Sequence, residues 1–135
     1  MGQLQRGARL AFSRGELDWE DDTIVAVPVS GAPDIVSDVY LSQMAAKILG
    51  GAGQRTTVTT SLVGLSSGRV RHTCASFVHA AVATGGTYAG TVFVKSTGND
   101  ASSLIISYHA RTAGPVPTND QDIDVTVPAE GLFTT

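Results

Sequence analysis

Two groups of carboxylates are the first places where this chain could do chemistry. Glu16, Asp18, Glu20, Asp21 and Asp22 fall within one short stretch, and Asp120, Asp122 and Asp124 follow Asn119. Acids at i, i+2 and i+4 of a strand project from one face, where two of them can share a proton or hold a cation. The series 119–124 has oxygen ligands that suit calcium. It lacks the glycine at the sixth position and the distal glutamate of an EF-hand loop. The plainer expectation is a solvated acidic edge that keeps foreign strands away. A cation at 120–124 stays open.

The remaining reactive side chains are dispersed. None of His72, His79 and His109 has a His or carboxylate partner at metal-ligand spacing, so no zinc site is expected. Cys74 is the only cysteine, which rules out an internal disulfide and reads as a small buried hydrophobe. A catalytic thiol would need a base and a low-pKa setting, and nothing in the sequence orients His72 or His79 on the sulfur. No serine sits in a G-x-S-x-G turn, and the pairs Gly50–Gly51 and Gly85–Gly86 match no phosphate-binding fingerprint. No nucleophile, base and oxyanion site assemble. The expectation is a protein that is not an enzyme, with no catalytic residues, no cofactor and no metal.

Charge narrows the partners. The net charge is −3, and the arginines are scattered, with Arg69, Arg71 and His72 as the one local cluster. Nucleic-acid binding needs a concentrated positive surface to release counterions, so it is not expected. No apolar run approaches the 18 or so residues that a membrane span needs, and the N-terminus lacks a signal-peptide core. A soluble protein made in a reducing cytoplasm is expected. Charged residues make up 16% of the chain, against about 25% in ordinary domains. Either a partner covers part of the surface or Thr and Ser supply the solubility.

The elements that must position these groups are mostly strands. Leu4, Ala8, Ala11 and Phe12 fall near helical spacing, with Arg6, Arg9 and Arg14 elsewhere on the surface, which predicts a helix near 3–14. Gly15 stops it. Leu17 and Trp19 flank Asp18 so that both face one side of an extended chain. Ile24 to Val27 reads as a buried strand. Asp38 is placed to cap a second short helix over 38–48 that Gly50 and Gly51 end, with an irregular loop containing one helical turn as the alternative. Beyond Gly53 the chain is β-like. Runs at 55–64, 69–82, 88–95, 103–110 and 122–128 are separated by turn residues, with Val70, Phe77 and Val82 as core candidates. The 88–95 alternation puts Tyr88, Val92 and Val94 on one face and Ala89, Thr91 and Phe93 on the other. Ile123, Val125 and Val127 point inward, and Leu132 and Phe133 pin the tail. Six or seven strands with such spacing predict a mainly β fold: an antiparallel β-sandwich or squat barrel with a short N-terminal helix and a second short helix as an option. At 135 residues the chain is expected to form one domain, 1–135, with 1–20 as an N-terminal helix and turn segment.

Read in order, GELDW followed by DTIVAVPV, YLSQ, RTTVTTSLVG, ASFVHA, VFVKSTG and SSLIISYHARTAGPVPTNDQDIDVTV resembles a family of small virion structural proteins of tailed bacteriophages. The matches run from residue 4 to 133. The QMAAKIL insert departs from the family pattern, and the aromatic that often follows the last strand is missing. The resemblance implies a non-enzymatic component of the virion. A capsid decoration (cement) protein stabilising the assembled head comes first, and a head–tail junction, tail or fibre-associated protein is the alternative. Its partners would be the major capsid protein or other virion proteins. A homo-oligomer is expected, a trimer before a dimer. A carbohydrate-binding sandwich module is the weaker alternative, since Trp19, Tyr40, Tyr88 and Tyr108 are too dispersed to mark an aromatic platform. Arg6, Arg9, Phe12 and Trp19 are candidate interface residues, because Arg and Trp anchor interfaces, with packing on the chain's own body as the other reading.

Overall fold

The protein is described by a computed structural model over residues 3–135, with Gln3 in backbone alone. Met1 and Gly2 of the expected N-terminal segment lie outside the described residues. The chain is mainly β, in several antiparallel sheets that do not close into a barrel. The sandwich-like alternative therefore stands, and the barrel alternative does not.

The opening residues form a strand, not a helical turn. β1 (Gln3–Leu4) pairs Gln3 with Tyr108 and Leu4 with Ser107, and the Gln5 N–H donates to the Ile106 carbonyl at 2.8 Å. The helix α1 (Arg6–Ser13) starts after this edge contact and buries Ala8 and Ala11. Gly15, at φ +69°, ends it: the Gly15 N–H donates to the Phe12 carbonyl and the Glu16 N–H to Ala11. That is the paired reverse hydrogen bonding of a Schellman cap, which favours glycine at the left-handed position. The acidic turn then organises itself. Asp18 accepts from the Glu20 and Asp21 N–H groups, and Lys95 pairs with Asp22 at 3.3 Å. Leu17 and Trp19, which the spacing sets on one side, are both buried.

β2 (Ile24–Val29) is an interior strand of the main sheet. Its β-branched residues suit a strand buried on both faces. Pro28 is tolerated there because β3 (Thr56–Thr57) pairs only with Val25 and Ala26, so no ladder bond is needed at Pro28. Next in chain order come β4 (Thr60–Gly64), β5 (Val70–Cys74), β6 (Phe77–His79), β7 (Thr87–Tyr88) and β8 (Gly90–Lys95). β9 (Leu104–Ala110), β10 (Val116–Pro117), β11 (Ile123–Val125) and β12 (Phe133–Thr134) complete the set. The main sheet has the order β1-β9-β8-β2-β3. A second sheet runs β12-β5-β4, and β6–β11 and β7–β10 form two ribbons. The expected six or seven strands are thus broken into shorter ones: 55–64 divides into β3 and β4, and 69–82 into β5 and β6.

The expected helix over 38–48 is a 3-10 helix over Leu41–Lys47, kinked at Met44. Asp38 does not cap it. Its carboxylate accepts from the Asp34 N–H, while the Gln43 side chain accepts from Val39 and Tyr40 at the helix start. Leu41 and Met44 cover one face of the main sheet, over Val27, Val29, Val92, Val94 and Ile105. On the opposite face Phe93, Ala26 and Ile106 meet α1, Trp19, Phe77 and Phe133. Consecutive Ile105 and Ile106 enter different cores by the ordinary alternation of a strand, and a register shift between Phe93 and Val94 leaves Ile106 as the extra residue on β9. Phe77 and Val82 are core residues as expected, whereas Val70 is only half-buried on the smaller sheet.

Candidate functional site

Polar side chains gather at one end of the main core. The His79 ring is fully buried, with Nδ1 at 2.8 Å from the Gln54 carbonyl and Nε2 at 2.9 Å from Thr91 Oγ1. A carbonyl only accepts, so Nδ1 carries the proton and Nε2 accepts from Thr91. The Thr91 hydroxyl must then accept from the Tyr88 hydroxyl, 2.8 Å away. This direction holds for a neutral His79, the form that burial favours by lowering its pKa. It places Tyr88 beside Thr91, not beside Val92 as the alternation predicts. The reason is local: the strand breaks at Ala89, β7 peels off to pair with β10, and the period-2 count restarts at Gly90.

A cavity of about 640 Å³ opens next to this chain, between β8–β9 and the segment 124–132. Tyr88, Phe93, His109, Arg111, Asp124 and Val127 are among the residues that line it. His109 lies edge-on to Phe93, and its Nε2 is 2.9 Å from Ser107 Oγ. Burial pushes the His109 pKa down to about 4, so it is neutral at pH 7. A Ser–His pair at this distance has the geometry of a nucleophile and base. Ser107, however, is fully buried and does not line the cavity, so a substrate carbonyl in the cavity does not reach it. Sequence reasoning missed this pair. Its signal was Ser107 and His109 at i, i+2 on a buried strand.

The other expected residues separate. Cys74 is buried, and burial raises its thiol pKa to about 12, which keeps it protonated and unreactive. Asp120 accepts from the Thr84 N–H and hydroxyl, and Asp122 from the Ala81 N–H. These acids therefore hold the 80–84 turn, whose Ala81 sits at a positive φ. No group of three or more His, Cys, Asp or Glu that could hold a metal ion occurs among the described residues. No helix of the described residues is long and apolar enough to cross a membrane.

The candidate interface residues divide in two. Arg6 and Arg9 are exposed on α1. Trp19 is 1% exposed and donates from Nε1 to the Thr73 carbonyl at 2.9 Å. Its ring is edge-on to Phe133 and His72, and half-buried Phe12 packs on the same two rings. Phe12 and Trp19 thus pack on the chain's own body. Comparison with known proteins found no matching protein family, no matching curated protein and no matching solved structure.

Proposed function

We propose that this chain is a non-enzymatic structural component of a tailed-phage particle, a decoration protein that binds the outer face of the assembled head and stabilises it. The observation that carries the reading is the ordered run of motifs from GELDW to DIDVTV, which resembles small phage virion proteins along nearly the whole chain. Two features support it. The groups best suited to chemistry are engaged in structural bonds: His79 in the Gln54–Thr91 bridge, Asp120 and Asp122 in a turn, and Cys74 in the core. The surface is also poor in charge and exposes Leu10, Ile35, Val36, Tyr40 and Val78. Such a surface suits contact with a neighbouring protein.

The stabilising logic is mass action. A protein that binds the assembled lattice and not its free subunits shifts disassembly by RT ln(1 + [L]/Kd) per site, summed over the shell. Imaging of virions at subnanometre resolution tests the reading. Density for this chain on the head surface is the expected result. Density confined to the neck, tail or fibres sinks the decoration role and favours the alternative placement.

One observation favours a second reading, the carbohydrate-binding module. The cavity beside His109 brings half-buried Tyr108 together with Arg111 and Asp124. Glycan-array binding that is lost in Arg111→Ala would promote that reading over the first.

A further inference from the structure

Native sheets blunt their edges, and this one does so nearly everywhere. The outermost strands β1, β3 and β12 have two residues each, as do β7 and β10, and β6 and β11 have three. β4 is the exception. It has five residues, ends the sheet β12-β5-β4, and no element but β5 packs substantially on it among the described residues.

The hydrogen-bond alternation shows which backbone groups are unused. The Ala75 N–H donates to Thr59, and the Leu65 N–H donates to Arg69. In an antiparallel pair the bonded positions alternate, so Ser61 and Val63 also face β5. Thr60, Leu62 and Gly64 therefore direct their N–H and C=O groups away from β5, and none of these N–H groups donates to another element.

Edges of this length are usually protected by charge, proline or a bulge. β4 has none of these. No charged residue occurs from Thr56 to Gly68. Leu62 and Val63 lie on opposite faces of the strand, yet both are exposed, at 38% and 41%. An added strand would therefore cover apolar surface on both faces.

We propose that β4 pairs antiparallel with β4 of a second copy, about a two-fold axis at Leu62. This contact goes beyond the virion reading and rests on the fold alone. Leu62 faces its own counterpart, and Thr60 faces Gly64 of the other copy, so no two bulky side chains oppose each other away from the axis. Each of these outward residues exchanges both of its backbone bonds. On the axis a residue meets its own copy, so a charge at Leu62 would be repelled, and the whole run from Thr56 to Gly68 carries none. The missing charge favours a second copy over a charged partner.

Sedimentation velocity of the full chain over a concentration range tests the contact. A reversible dimer is expected for the natural sequence. Leu62→Pro removes the central outward N–H but no bond to β5, and the extended residue before it tolerates proline. Leu62→Lys sets two ammonium groups against each other across the axis. Each variant should weaken dimerisation at least about tenfold while retaining the buried-Trp19 fluorescence of the native fold. If Leu62→Pro does not fold, Leu62→Lys decides. A natural chain that stays monomeric, a trimer, or a dimer that neither folded variant weakens would overturn the proposal. Because this readout uses purified protein, it is independent of where the chain sits in a particle.

Discussion

His109, His79 and His72 are each pushed by burial toward the neutral form, His109 to a pKa of about 4. In the unfolded chain each titrates near about 6.5. Below that value the unfolded state binds more protons than the folded one, so stability falls as pH falls. The contribution is complete above about pH 6.5 and is lost on the way down toward the folded pKa, near 4 for His109. Within that window each histidine that stays neutral in the fold costs about 1.4 kcal/mol per pH unit. Urea midpoints should therefore drop as the pH falls from about 6.5 to about 5. Asp100, whose pKa is lowered by the Arg55 side chain bonded to it, adds its loss only at lower pH. A midpoint that is flat from pH 7 to pH 5 would contradict the buried, neutral assignment.

Among the elements, β8 carries the tightest constraint. Gly90 pairs with Val29 on one side and Ala110 on the other. A Cβ at Gly90 would run into the His109 carbonyl and come within 2.9 Å of the Tyr108 ring. Backbone cannot yield as a flexible side chain can, so Gly90→Ala should destabilise by about 1–3 kcal/mol, the usual range for overpacking. Chemical denaturation measures it. Gly15→Ala is a useful contrast, since its Cβ would meet no atom within 4 Å and only its φ of +69° is strained. The α1 segment is bound in the same way to the body, through Ala8, Ala11 and the β1 pairing with β9. Its removal is therefore a cost to folding before it is a cost to any assembly.

For the molecule as a whole, the main sheet is shared by both cores. β2, β8 and β9 contribute Ala26, Phe93 and Ile106 to one face and Val27, Val92 and Ile105 to the other. Neither core can open without exposing the sheet that closes the second. One cooperative transition is expected, with Trp19 fluorescence, which reports on the first core, coinciding with the far-UV signal of the sheets. Two separated transitions would show that the 3-10 layer of Leu41 and Met44 unfolds by itself.

Local patterns determined that the chain is mainly β, that α1 ends at Gly15, that Leu17 and Trp19 share a side, and that Phe77 and Val82 are core. Each of these follows from local sterics or from a two- or 3.6-residue repeat, which neighbours in sequence suffice to set. The tertiary structure decided the rest. Residue 3 forms a strand because Tyr108 offers it a backbone partner. Tyr88 changes face because β10 draws β7 away from β8. Asp38 leaves its expected helix to bond Asp34. The polar bridge from Tyr88 to Gln54 joins three segments, around residues 54, 79 and 88–91, and no local pattern specifies such a meeting. The free edge of β4 is legible in the sequence only as a run without charge. That it ends a sheet, and which of its backbone groups point outward, is set by its pairing with β5.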